Sequence, residues 1–275
     1  MLIKLMKYDL KSLNRILIIL HAFLLLMTVL LRIFITGRIQ LDSDFNGLLF
    51  GLSVLIYALT ITGISFGTAI VIAVRFYKNL FSDEGYLSQT LPVTMGQHLL
   101  SKTITGTLWS WIDYLLLLVS LYIGIATPEL LRLYHTNQDE IMQQLGFTGA
   151  YASITPAKIV LILLAAGLIG SIANVVMYYA SIVLGQLFSS HRVIGAIACY
   201  FGLSAILSAV SFIAMFIMDL TSANHFLLPS GPEDTINFVE YMIRVLTVSM
   251  GISLVTTLVL YILMLALIKK KLDLN

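Results

Sequence analysis

The sequence predicts an all-α polytopic membrane protein with six transmembrane helices, and three observations lead there. Of the 275 residues, 59% are hydrophobic and only 11% charged, with a mean hydropathy of +0.97. Soluble domains carry about 25% charged residues, and a soluble chain this apolar could not cover its own surface, so its solvent is lipid. The apolar residues fall into six runs, at roughly 14–35, 47–74, 101–126, 157–185, 193–218 and 241–268. Each supplies about 20 residues or more, enough at ~1.5 Å per residue to cross a ~30 Å hydrocarbon core. The runs are continuous rather than alternating, which excludes the strands of an outer-membrane barrel. Backbone groups in lipid must pair within their own segment, so the runs are helices. The chain, 1–275, reads as a single transmembrane domain without an internal repeat or low-complexity linker.

The first run follows Lys4, Lys7, Lys11 and Arg15 and ends at Arg32 rather than at a small-residue cleavage site. It is therefore expected to be a retained span and not a secretory signal. Within residues 2–15, Leu2, Leu5, Met6, Leu10 and Leu13 recur at helical spacing, with the four bases largely opposite. That pattern predicts an amphipathic helix in the membrane interface, apolar face down and bases toward anionic headgroups.

The bases also set the sidedness. With the N-terminus in the cytoplasm, eleven Lys and Arg fall on cytoplasmic segments and five on outer ones. This predicts a cytoplasmic location for both termini, as an even number of spans requires. Two outer segments stand out. Residues 127–156 are helical in pattern and expected on the membrane surface. Residues 219–240, with Pro229, Gly231 and Pro232 after an apolar FLL, are expected to dip into the outer leaflet and return.

Net charge is +2, which gives no reason to expect nucleic acid. The lone Cys199 has no partner for an intrachain disulfide and stands too isolated for a metal site. GxxxxGK[ST], HExxH and GxSxG are all missing, so no catalytic residue and no metal ligand is assigned and the chain is not expected to be an enzyme. Some polar groups lie inside the spans. Asp113 stands about 11 residues, or ~16 Å, beyond Lys102. An acid at that depth reads either as a functional group or as a packing group hydrogen-bonded to a neighbouring helix. His21 and the Asn174, Tyr178, Tyr179 group carry the same two readings. Arg32 and Arg244, near span ends, are expected to snorkel.

The long polar stretch RFYKNLFSDEGYLSQTLPVT, residues 75–94, is cytoplasmic by the charge distribution. It predicts a short helix across the end of span two, then a turn, with Thr94 capping the next helix. Together with MGQHLLSK it resembles the loop between spans two and three in permease subunits of bacterial exporter-type ATP-binding-cassette transporters: a basic-aromatic start, an EGYL-like turn and an LP before span three. LGQLFSSHRVIGAIACYF, residues 184–201, resembles that family's connection between spans four and five. The KYDLK opening and the lysine-rich tail fit as well.

The resemblance implies an N-terminal elbow helix at 2–15 and a coupling helix at about 79–91. Asp83, Glu84, Gly85, Tyr86, Leu87, Leu91 and Pro92 would dock on a separate ATPase subunit, and Ser189, His191 and Arg192 would make a second contact. ATP and magnesium would sit on that ATPase, with no cofactor on this chain. A second permease chain, identical or not, would complete the translocation path in a bacterial cytoplasmic membrane. Asp113, Asn174 and Tyr178 would line that path or pack its helices. The cargo would be a peptide, including antimicrobial ones, a lipid or a hydrophobic compound. Two other classes remain open on the residues alone. One is a non-transporting sensor, interaction or immunity protein. The other is a proton-coupled secondary transporter using His21 and Asp113.

Overall fold

The structure is a computed structural model and describes residues 2–36, 44–82, 85, 92–188, 190–220 and 237–271. The described residues form eight α-helices: α1 (Leu2–Thr36), α2 (Asp44–Phe81), α3 (Met95–Ile125), α4 (Pro128–Thr136), α5 (Gln138–Leu145), α6 (Pro156–Gly185), α7 (Arg192–Leu220) and α8 (Phe238–Lys271). A single 3-10 turn, Gly149–Tyr151, precedes α6. Six of these helices, α1, α2, α3, α6, α7 and α8, are long and apolar enough to cross a membrane, which bears out the predicted all-helical, six-span architecture.

The chain divides into two compact units, Met1–Thr136 and Asn137–Asn275. In the first, α1 packs against both α2 and α3, which touch each other much less. The inward line of α1 is Leu13, Leu17, His21, Leu24, Thr28 and Leu31, all buried at intervals of three or four residues. Ile16, Ile18, Ile19, Phe23, Leu25 and Leu26, on the other faces, are exposed. The helix is apolar on its outside and carries its polar groups inward, the inverse of a soluble amphipathic helix and the arrangement lipid requires.

At the end of the unit where α1 and α3 start and α2 stops, Leu13 of α1, Phe76 and Leu80 of α2 and His98 and Leu99 of α3 are buried. Two sequence expectations differ here. Residues 2–15 are no separate element: they are the first turns of one uninterrupted 35-residue helix. The reason is that Asp9 and Leu13 are buried within the unit, which draws this stretch into the bundle. Lys4, Lys7, Lys11 and Arg15 remain exposed, as their spacing predicts. Residues 79–81 belong to α2, whose 38 residues span about 57 Å at ~1.5 Å each, well beyond a ~30 Å core.

α2 ends at Phe81. Gly85 N–H donates to the Ser82 carbonyl at 2.7 Å. A Cβ on Gly85 would stand 2.8 Å from the Leu80 carbonyl, so a side chain has no room there. α3 then starts on a capping box, as Thr94 predicts: the Gln97 N–H donates to Thr94 Oγ1 at 3.3 Å and the Thr94 N–H to Gln97 Oε1 at 3.1 Å. Within residues 127–156, α4 and α5 supply the expected helix, with Thr127 Oγ1 accepting from the Leu130 N–H at the head of α4. Residues 221–236, the main part of the predicted re-entrant segment, lie outside the described residues.

In the second unit α6 takes the central place, packing on both α7 and α8. Val175, Val176, Tyr179, Ala180 and Val183 of α6 and Val239, Leu260, Met264 and Ile268 of α8 form its core. Thr155 caps α6 and Pro156 occupies its first turn. α5 ends on Gly146 in the left-handed region at φ 91°, and its carbonyl accepts from Asn237 Nδ2 at 3.0 Å. Asn237 Oδ1 in turn accepts the Glu240 N–H at 2.9 Å, so one side chain fastens α5 to the start of α8.

At the α6–α7 corner the backbones approach closely: a Cβ on Gly185 would lie 2.6 Å from the Ala196 nitrogen. Gly202, further along α7, has nothing within 4 Å. Gly185→Val is therefore expected to destabilise the protein by about 1–3 kcal/mol, the usual range for overpacking, while Gly202→Val has a far smaller effect. Unfolding of the two variants in detergent by titration with a denaturing detergent measures the difference.

Candidate functional site

Polar side chains inside the first unit meet along one line between α1 and α3. Ser101 Oγ donates to Asp9 Oδ2 at 2.7 Å, His21 Nε2 lies 2.8 Å from Asp113 Oδ1, and Thr28 Oγ1 lies 2.6 Å from Ser120 Oγ. Each of these pairs is separated by 92 residues. A constant offset means that the two helices run parallel and in register. Lys102 Nζ joins Asp9 Oδ1 at 2.9 Å, Trp109 Nε1 donates to Asn14 Oδ1 at 3.1 Å, and Arg32 donates to the Ile123 carbonyl at 3.1 Å. Asn14, His21 and Thr28 are spaced by seven, as are Asp113 and Ser120. A seven-residue repeat keeps one face turned to a neighbour over several turns.

Asp113 is the hub. Its carboxylate faces His21 and accepts from Thr68 Oγ1 at 3.3 Å and Ser65 Oγ at 3.4 Å, so α1, α2 and α3 all converge on one side chain. Ser65 and Thr68 are three apart and share a face of α2. The His21 ring is held on its other edge by the Leu17 carbonyl at 2.7 Å and lies 5.9 Å from the Trp109 ring. One level on, the proton directions resolve themselves. Thr28 gives its hydroxyl proton to the Leu24 carbonyl at 2.8 Å. Ser120 therefore donates to Thr28, and Tyr57 of α2 donates to Ser120. At the opposite level, Arg75 Nε donates to Ser12 Oγ and ties α2 to α1.

Of the residues singled out in the sequence, Asp113 and His21 are brought together. Asn174 and Tyr178 belong to the second unit. There Asn174 is exposed and the Tyr178 ring lies 5.7 Å from Tyr200 of α7. His191 and Arg192 are exposed at the start of α7, and Pro92 is exposed just before α3. Asp83, Glu84, Tyr86, Leu87, Leu91 and Ser189 lie outside the described residues. Arg32 and Arg244 have protein partners, Ile123 and Glu240 respectively, in addition to whatever water they reach. Sequence reasoning missed Asp9, Asn14, Thr28, Trp109 and Ser120, although the seven-residue spacing of Asn14 and Thr28 about His21, and of Ser120 from Asp113, was available as a signal. Among the described residues no group of three His, Cys, Asp or Glu is placed to hold a metal ion.

The chain matches no family model, no curated protein and no solved structure.

The Asp9–Lys102 pair offers a direct test of the line's energetics. Both side chains are about nine-tenths buried. Removing one partner of a buried pair leaves an uncompensated charge and costs about 3–5 kcal/mol, whereas replacing both by apolar groups is often near neutral. Asp9→Leu alone is expected to lower stability by about 3 kcal/mol, and Asp9→Leu with Lys102→Met to recover most of it. Denaturing-detergent titration of the single and double variants reads both values.

Proposed function

We propose that the chain is the membrane-spanning permease subunit of an ATP-driven exporter, paired with a second permease chain and with separate ATPase subunits. The observation that carries this reading is where the family-like stretch hangs. Residues 82–94 join the end of α2 to the capped start of α3, and both of those helix ends are tied to α1, through Ser12–Arg75 and through Asp9–Lys102 and Ser101. A partner pulling on this loop would move three helices together. That is the mechanical need of a coupling helix, and it goes with the resemblance of residues 75–102 to that element.

On this reading both termini face the cytoplasm of a bacterial cell, and the exposed bases of residues 2–15, on the first turns of α1, face anionic headgroups. Asp83, Glu84, Gly85, Tyr86, Leu87, Leu91 and Pro92 meet the ATPase, and Ser189, His191 and Arg192 add a second contact. ATP, with magnesium, is bound and hydrolysed on the partner. Closure of the ATPases favours one state of the permease only through contacts that differ between the two states, and this loop is where those contacts are made. The cargo is a peptide, a lipid or a hydrophobic compound. The convergence of His21, Ser65, Thr68 and Asp113 favours one second reading, a proton-coupled transporter.

Gentle purification of the tagged chain from its own host decides between them. A subunit with a phosphate-binding loop is expected at roughly one copy per permease chain. Glu84→Ala with Tyr86→Ala is expected to lose most of that subunit while the permease keeps its unfolding midpoint. Absence of such a subunit after cross-linking would sink the exporter reading.

A further inference from the structure

The His21–Asp113 pair has chemistry that force transmission does not use. His21 Nδ1 lies 2.7 Å from the Leu17 carbonyl. A carbonyl only accepts, so Nδ1 carries a hydrogen. That leaves Nε2, at 2.8 Å from Asp113 Oδ1. A bare imine nitrogen and an ionised carboxylate oxygen are both acceptors and repel at this distance. One proton must lie between them. With it on nitrogen the pair is imidazolium and carboxylate; with it on oxygen it is imidazole and carboxylic acid. Both forms sum to zero charge. Losing the proton leaves the pair at −1, and gaining a second leaves it at +1, inside a span where both side chains are about nine-tenths buried or more.

The surroundings favour the neutral, singly protonated pair. The α2 groups facing it, Ser65 and Thr68, are hydroxyls that donate to the carboxyl and do not titrate. On α3, Trp109 covers the ring. The described charges nearest in sequence on the same helices are engaged or turned outward. Arg75 is bonded to Ser12 and Lys102 to Asp9, and Arg15, six residues before His21, is exposed. The Tyr57 hydroxyl is bonded to Ser120, and Tyr114, next to Asp113, has its phenol on the half-buried flank of α3.

We propose that His21 and Asp113 form a proton-binding site within the first helix triplet, holding one exchangeable proton that fastens α1 to α3. The ligand is the proton itself, and the site stands whether or not the chain works with an ATPase. Without the proton, two acceptors face each other at the central level of the α1–α3 line and the helices separate there. Any movement that parts α1 from α3 and admits water then exchanges a proton.

The test uses the full chain in lipid nanodiscs with ring-15N histidine. The sequence has five histidines, and Asp113→Asn identifies the His21 signals by the shift it causes. At neutral pH, His21 is expected to show a protonated Nδ1 and a proton shared between Nε2 and the Asp113 carboxyl. Spin labels at Val29→Cys and Ile125→Cys, in a Cys199→Ala background, report the α1–α3 separation while the pH is raised. Loss of the shared proton and lengthening of that separation are expected at the same pH. The His21→Gln, Asp113→Asn double variant, which keeps an uncharged hydrogen bond, is expected to lose the pH response. A bare Nε2 facing an ionised Asp113 at neutral pH would overturn the proposal, as would deprotonation with no change in separation. So would a double variant that still responds. A shared proton that persists at every pH the protein survives would overturn it too, reducing the pair to a fixed structural bond.

Discussion

A polar side chain carried into hydrocarbon has to find another polar group, because water is not there to serve it. In the first unit that requirement is met by one geometric solution. α1 and α3 lie parallel with a constant sequence offset, and Asp9, His21 and Thr28 each meet their partner at the same separation. A single hydrogen bond between membrane helices contributes little, about 0.6 kcal/mol on average. Its larger effect is on alternatives. If α3 slid by one turn against α1, His21 and Thr28 would lose Asp113 and Ser120 and face non-polar residues, and the unmade bonds would count together. The polar line thus specifies register more than it supplies stability. The Leu-rich surface around it does not specify register at all.

The second unit solves the same problem differently. Its hydroxyls are mostly satisfied within their own helices: Ser171 donates to the Gly167 carbonyl and Ser181 to the Met177 carbonyl, at 2.8 and 2.7 Å. Register here also draws on shape. Gly185 lets the end of α6 meet the start of α7 backbone to backbone, and Asn237 fixes α5 to α8 at the opposite end. Close approach through small residues is the packing force lipid leaves available when apolar burial no longer favours one helix over another.

The architecture was legible because span length and hydropathy are properties of each segment alone. So was the Thr94 cap, which depends on residues three apart. What could not be read was anything that depends on which helix lies beside which. Asp113 and His21 stood out singly as polar residues at depth, but their meeting is a property of the α1–α3 pairing. Asp9 was hidden among the bases of residues 2–15, where the amphipathic pattern suggested a surface helix. Burial of Asp9 against Lys102 and Ser101 made that stretch part of the bundle instead. Thr28, Ser120 and Asn14 are commonplace in membrane helices, and only their seven-residue spacing marked them. The helix of span two continues past the predicted span through Arg75 and Lys78, charged residues that helices readily carry once outside the hydrocarbon.

The constant offset between α1 and α3 also determines which changes of chain length the first unit can absorb. Residues added in the connection between α1 and α2 alter the number 92 and leave the α1–α3 pairing, because that pairing is spatial. One residue inserted in α1 between Asn14 and Thr28 is a different matter. It rotates everything beyond it by about 100° and advances it by ~1.5 Å, so the part of α1 before the insertion and the part after it can no longer both face α3. Seven inserted residues return the face to within about 20°, but only if α3 lengthens by the same amount. The two helices are thus locked to a common length whatever the length of the connection between α1 and α2.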